Sequence, residues 1–199
     1  KLSKDAIDLC CDIESPLYTF HAGFTVDPKK LGTKFVQNKM MKKEKSMEIF
    51  IESVIDVIEY AKKYGIKIAI EPNVVEEFNL TNNENKLLLL ADVDEIKYFS
   101  KIFKKKDVGI LLDLGHTAVT SHWLNFDKNE FVKTCLDNTV AVHVSNNNGK
   151  KDQHKSLTKN CWQTSQLKLF KKLKITLETM NLNVTQIKNN IKIAQTSLL

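Results

Sequence analysis

Two rhythms of apolar residues alternate along this chain. Met47, Phe50, Ile51, Val54, Ile55, Ile58 and Ala61 recur at i, i+3, i+4 spacing, which predicts a helix over 43–64, and Gly65 follows as its C′ residue. Shorter runs of β-formers fill 17–20, 66–71, 108–113, 139–144 and 174–178. Between them, helical patterns cover 3–14, 92–104, 128–137, 163–173 and 184–197, the third opened by an Asp127–Glu130 capping-box spacing. Loops are expected over 24–41, with Asp27-Pro28 and Gly32, and around His122 and Trp123, while Leu87 to Leu90 suits an extended segment or a helical turn equally. Strands alternating with helices, and strands with hardly a polar break, imply a parallel sheet covered by helices on its outer face. Five strands are counted. A closed eight-stranded α/β barrel usually needs about 250 residues, so the 199 residues read as one domain over 1–199, an incomplete (β/α) barrel of TIM type short of its front units.

Four of the runs finish on a residue that can ligate a metal: Ile66 to Glu71, Val108 to Asp113, Thr139 to His143 and Lys174 to Glu178. Successive members lie roughly 30–40 residues apart, room for a loop, a helix and the next strand. Parallel strands bring their carboxyl ends to one face of the domain. Two Glu, one Asp and one His gathered there would be the O and N donor set of a divalent cation.

Composition narrows the partners. The net charge is +6, yet all 30 basic residues are Lys, so no guanidinium fork is present to grip phosphate or a base edge. The clusters Lys42-Lys43, Lys104 to Lys106 and Lys171-Lys172 read as solvated helix faces and helix C-terminal charges, which argues against a nucleic-acid track. No apolar run approaches the roughly 18 residues of a membrane span. Cys10, Cys11, Cys135 and Cys161 have no CxxC spacing and read as buried thiols in a reducing cytoplasm.

A buried strand-end carboxylate costs several kcal/mol unless paired, so one alone could be half of a salt bridge. Glu71 and Glu178 at equivalent places in two units, with Asp113 and His143 between them, favour a shared cation. Asp113-Leu-Gly-His116 adds an imidazole that could also cap a helix. From His143 the chain runs through a polar loop into Asp152-Gln-His154, whose side chains point the same way if extended. His21 ends the first strand and should join the same rim. His122 has no such context, and Phe24, Trp123 and Trp162 are candidates for an apolar wall over a ligand.

Together these pieces resemble the xylose-isomerase-like barrel superfamily, which contains sugar isomerases and epimerases and also endonuclease IV. The matching segments are His21-Ala-Gly23, Ile70-Glu71-Pro-Asn73, Leu112 to His116, His143 through His154, and Leu177-Glu178. The resemblance implies that Glu71, Asp113, His143 and Glu178 hold the metal. It further implies that His21, His116, Asp152, His154 and Asn73 bind substrate or additional metal. Two departures separate the chain from the DNA-repair branch. Pro72-Asn-Val-Val-Glu-Glu-Phe78 stands where a glycine- and glutamine-rich segment is expected, and Gln153 stands where that branch has Arg.

The leading expectation is a sugar or sugar-phosphate isomerase or epimerase that uses Mn²⁺, Mg²⁺ or Zn²⁺ and moves a proton through an enediolate, with Glu71 and Glu178 as the catalytic pair. One alternative is an endonuclease IV-like multi-zinc phosphodiesterase acting on abasic DNA. The other is a non-catalytic incomplete barrel, whose exposed edge would favour pairing with another chain, a homo-oligomer included.

Overall fold

The computed structural model describes residues 1–27 and 40–199; the expected loop residues Pro28 and Gly32 lie outside them. Among these residues five strands form one sheet in sequential order: β1 (Leu17–His21), β2 (Lys67–Glu71), β3 (Gly109–Asp113), β4 (Thr139–Val144) and β5 (Lys174–Leu177). Every neighbouring pair is parallel. The sheet curls into part of a TIM-type barrel. Among the described residues seven α-helices accompany it: α1 (Leu2–Asp12), α2 (Lys43–Lys62), α3 (Val93–Ile102), α4 (Leu114–Leu124), α5 (Lys128–Leu136), α6 (Trp162–Gln166) and α7 (Val184–Ser197).

The alternation of side chains along a strand decides what each residue can do. Ile68 and Ile70, Ile110 and Leu112, and Val142 and Val144 belong to the main core beneath the helices, with Val54, Ile58, Ile96 and Phe99. The residues between them turn the other way: Ala69, Leu111 and Ala141 form a small separate cluster inside the curl. Two positions further along each strand, the same inward parity reaches Glu71, Asp113 and His143. His21 is in register with Glu71, and Asp113 with His143. In β4 the parity is kept past a register shift opposite Ile110/Leu111. Gly109 lies beside that shift, and a Cβ on it would stand 2.5 Å from both methyls of Val140.

Helix ends follow the expected chemistry. Gly65 adopts φ +68°, with Gly65 N–H donating to Lys62 O and Ile66 N–H to Ala61 O, the paired bonds of a Schellman cap. Asp92 caps α3 through Glu95 N–H. Asp127 caps α5, but through Asn129 N–H.

One segment differs from expectation and another is decided by the structure. The stretch around His122 and Trp123 is helix α4, not loop. Leu114 through Ser121 are all buried, so α4 has no polar face and leaves no amphipathic signature in the sequence. Leu87 to Leu90, open between an extended segment and a helical turn, takes the extended alternative as a single antiparallel bridge. It runs antiparallel to 23–25, with Thr25 N–H donating to Leu87 O and Leu89 N–H to Gly23 O, and Leu90 turns at φ +52°. Among the thiols Cys135 is buried, Cys10 and Cys161 are half-buried and Cys11 is exposed, against the uniform burial expected.

Candidate metal centre

Glu71, Asp113 and His143 are the last inward residues of β2, β3 and β4, and Glu178 follows β5 directly, its N–H donating to Val144 O at 3.1 Å. The four arrive together. One donor atom from each can be chosen so that all lie within 4.8 Å of one another. His143 Nδ1 stands 3.0 Å from Glu178 Oε1 and 3.6 Å from Glu71 Oε1. Donors on opposite sides of an ion with bonds of roughly 2.0–2.3 Å are separated by about 4–4.6 Å, so the cluster has the dimensions of a first coordination shell.

Their hydrogen-bonding state supports the same fit. Glu71 Oε1, Asp113 Oδ2 and His143 Nδ1 are buried without a hydrogen-bond partner, a condition that native proteins avoid unless something else satisfies the atoms. His143 Nδ1 and Glu178 Oε1 are near but not aligned as donor and acceptor. Atoms that face a common point, rather than each other, have that relation. Three carboxylates and an imidazole suit a hard divalent cation.

A second group adjoins the first. His116 Nδ1 is 3.3 Å from Glu71 Oε1, and its Nε2 is 3.3 Å from Asp152 Oδ2. His154 Nε2 is 3.0 Å from the same Asp152 oxygen. His116, Asp152 and His154 also offer donors within 4.8 Å of one another. Asp152 and His154 do not meet through an extended backbone as expected, because His154 is left-handed at φ +46°, and its Nδ1 is anchored 2.9 Å from Glu178 O. His21 lies at the rim with Nε2 3.5 Å from Glu71 Oε2 and its side chain 48 % exposed. Asn73 braces the neighbouring loops, with Nδ2 3.0–3.1 Å from the carbonyls of Ala22, Gly23 and Leu89, and also lines the cavity beside the cluster.

Electrostatics reflect this crowding. Burial opposes a charge on His143, but the contacts with Glu178 and Glu71 outweigh it and hold the imidazole at about 10. The same contact with His143 holds Glu178 down at about 2, against burial. Burial likewise opposes charge on His116, and Asp113, Asp152 and Glu71 overcome it, again to about 10. Burial pushes Asp113 up to about 6, although His116 pulls the other way. On Asp152 burial is outweighed by His116 and His154, and the carboxyl falls below its usual range. His21 is lowered, because its burial exceeds the pull of Glu71. Protons on imidazoles thus balance the carboxylates, and a cation entering among these donors would take their place.

A cavity of about 540 Å³ opens beside the cluster, lined by His21, Phe24, Glu76, Phe78, Leu88 and Asp152 among others. It falls in the size range of small-molecule sites. The apolar wall is made by Phe24, Phe78 and Leu88. Trp123 is tied through Nε1 to Lys150 O, and Trp162 lies apart, bonded to Asn129 under Lys128. A second cavity of about 450 Å³ between α2 and α3 is lined by the Lys43–Glu95 pair and contains none of these donors. Sequence reasoning missed Glu76, whose Oε1 accepts Asp152 N–H at 2.8 Å and ties the loop after β4 to the loop after β2. Nothing in Glu76-Glu77 distinguishes one glutamate from the other.

A family model described as a xylose isomerase-like TIM barrel matches residues 1–197. No curated protein sequence matches the chain. Among solved structures, a D-tagatose 3-epimerase-like protein aligns with TM-score 0.69 at 20 % identity, over 98 % of this chain and 69 % of that one. D-psicose 3-epimerase from Clostridium cellulolyticum, solved with D-tagatose, gives TM-score 0.64 at 12 % identity, over 99 % and 69 %. A Thermus thermophilus protein soaked with ZnCl2 gives 0.59 at 13 %, over 98 % and 67 %. At such identities the likeness fixes the fold and leaves the chemistry to the residues.

Proposed function

Since the chain belongs to the xylose isomerase-like TIM barrel family, we propose that it is a divalent-metal-dependent sugar isomerase or epimerase, with the cation held by Glu71, Asp113, His143 and Glu178. The observation that carries this reading is the convergence of those four donors within 4.8 Å, three of them buried and unpartnered, beside a cavity of monosaccharide size. Structures of the same fold include enzymes named as sugar 3-epimerases. When bound, the cation would supply Lewis-acid polarisation of neighbouring carbonyl and hydroxyl oxygens.

Each glutamate has an oxygen to spare. Glu71 Oε1 faces the cluster while Oε2 faces His21; Glu178 Oε1 faces His143 while Oε2 points toward His154 at 4.0 Å. The outward oxygen of one glutamate removes the proton from the carbon next to the sugar carbonyl, leaving an enediolate. The other returns a proton, to the opposite face in an epimerisation or to the adjacent carbon in an isomerisation, where the hydroxyl proton also passes to the former carbonyl oxygen. His21, with its lowered pKa, is a neutral hydrogen-bonding group for a hydroxyl at the rim. Incubating Mn²⁺-loaded protein with a panel of ketoses in D₂O tests the reading. Deuterium should enter at carbon with wild type and not with Glu178→Gln; undiminished exchange in that variant would remove the proton-transfer role of Glu178.

The second donor group favours one other reading, an endonuclease IV-like multi-zinc hydrolase in which His116, Asp152 and His154, with His21 at the rim, hold two zinc ions beyond the one at Glu71. Three zinc ions per chain would support it, and one or two would support the isomerase.

A further inference from the structure

The geometry points to Gly115 as a positioning residue for Asp113, an inference that rests on reading Asp113 as a cation ligand. Gly115 lies in the first turn of α4, buried. Its backbone is helical, so the constraint on it is space rather than dihedral freedom. A Cβ built there would stand 2.7 Å from Ser145 Oγ, 3.0 Å from Asp113 Oδ1 and 3.4 Å from Asn147 Nδ2.

The two carboxylate oxygens of Asp113 have different partners. Oδ1 accepts the His116 N–H at 2.8 Å as the N-cap of α4. Oδ2 is buried, without a hydrogen bond, 3.9 Å from His116 Nε2. A carboxylate is a rigid plane, so relieving a contact at Oδ1 displaces Oδ2 from its present position in the cluster as well. Ser145 Oγ is different, since it has no hydrogen bond to lose and turns about a single torsion. The crowding that matters is therefore the one with Asp113. The Gly115 carbonyl also accepts Asn147 Nδ2 at 2.9 Å, which fixes the start of the loop that carries Asp152 and His154. A glycine here lets the end of β3 and the loop after β4 close on the same turn of α4.

The test compares wild type, Gly115→Ala, Ser145→Ala and the double variant. Mn²⁺ affinity is measured by calorimetry, and the His116 backbone amide is followed by NMR in metal-free protein. Gly115→Ala should melt cooperatively, weaken Mn²⁺ binding by about 10- to 100-fold, and shift the His116 amide with faster exchange. The double variant should keep both defects, because removing the Ser145 hydroxyl leaves the contact with Asp113 in place. If Gly115→Ala alone does not fold, the double variant against Ser145→Ala makes the same comparison. Restoration of affinity and amide in the double variant, or no change in Gly115→Ala, would overturn the assignment. If wild type binds no Mn²⁺, the cation reading fails, and the His116 amide still decides the role of Gly115.

Discussion

Cation binding at Glu71, Asp113, His143 and Glu178 should be linked to proton release. In the cation-free protein the His143 imidazole is held at about 10 by Glu178 and Glu71, and at pH 7 it carries a proton. Its Nδ1 is the atom that faces both glutamates, and a nitrogen bearing a proton cannot donate its lone pair to a metal. Deprotonation at pH 7 spans three pH units, on the order of 4 kcal/mol of metal affinity. Calorimetric titration with Mn²⁺ in buffers of different ionisation enthalpy should give an apparent enthalpy that varies linearly with buffer, with a slope near one proton between about pH 7 and pH 9. Over that range the dissociation constant should tighten about tenfold per pH unit, then level off above pH 10. Below about pH 6, where Asp113 also takes up a proton, the dependence should steepen. Binding that is independent of buffer and of pH from 7 to 9 would refute the proposed displacement of the His143 proton.

The same shifts set the acid and alkaline limits of the cation-free fold. His143 is raised from 6.5 to about 10, so the native state holds the extra proton, and this contribution is complete below pH 6.5 and lost as pH rises through 10. Glu178 is lowered from 4.5 to about 2, so its contribution is present above pH 4.5 and lost as pH falls through 2. Thermal melts of metal-free protein should therefore peak between about pH 5 and pH 7, and a midpoint still rising at pH 9 would contradict this. Gly65→Ala forces a Cβ into φ +68° and should cost about 1 kcal/mol, a fall of roughly 2–4 °C in melting temperature, with Mn²⁺ affinity unchanged.

The site was legible in the sequence wherever the strand rhythm of two carried the information. A strand that alternates faces fixes which of its residues turn inward, and Glu71, Asp113 and His143 share that parity with Ala69, Leu111 and Ala141. The parallel order of the strands then gathers them without any knowledge of distances. Helix α2 was readable to its Schellman glycine because one side of it meets water. Helix α4 was not, since burial on all sides removes the polar stripe that reveals a helix; the one local signal was Asp113 itself, whose Oδ1 caps His116 N–H while Oδ2 stays free for the cluster. The contact of Asp152 with His154 was anticipated but not its route, because a left-handed histidine is a product of the tertiary tether to Glu178 O. The bonds of Asn73 and Glu76 are hidden for a similar reason: what each side chain bonds to depends on loops far away in sequence.

Crystals grown with Mn²⁺ and measured across its absorption edge should show an anomalous peak within bonding distance of Glu71, Asp113, His143 and Glu178, and Glu71→Gln should abolish or strongly weaken it. No peak at that point in an intact fold, or a peak only among His116, Asp152 and His154, would contradict the account.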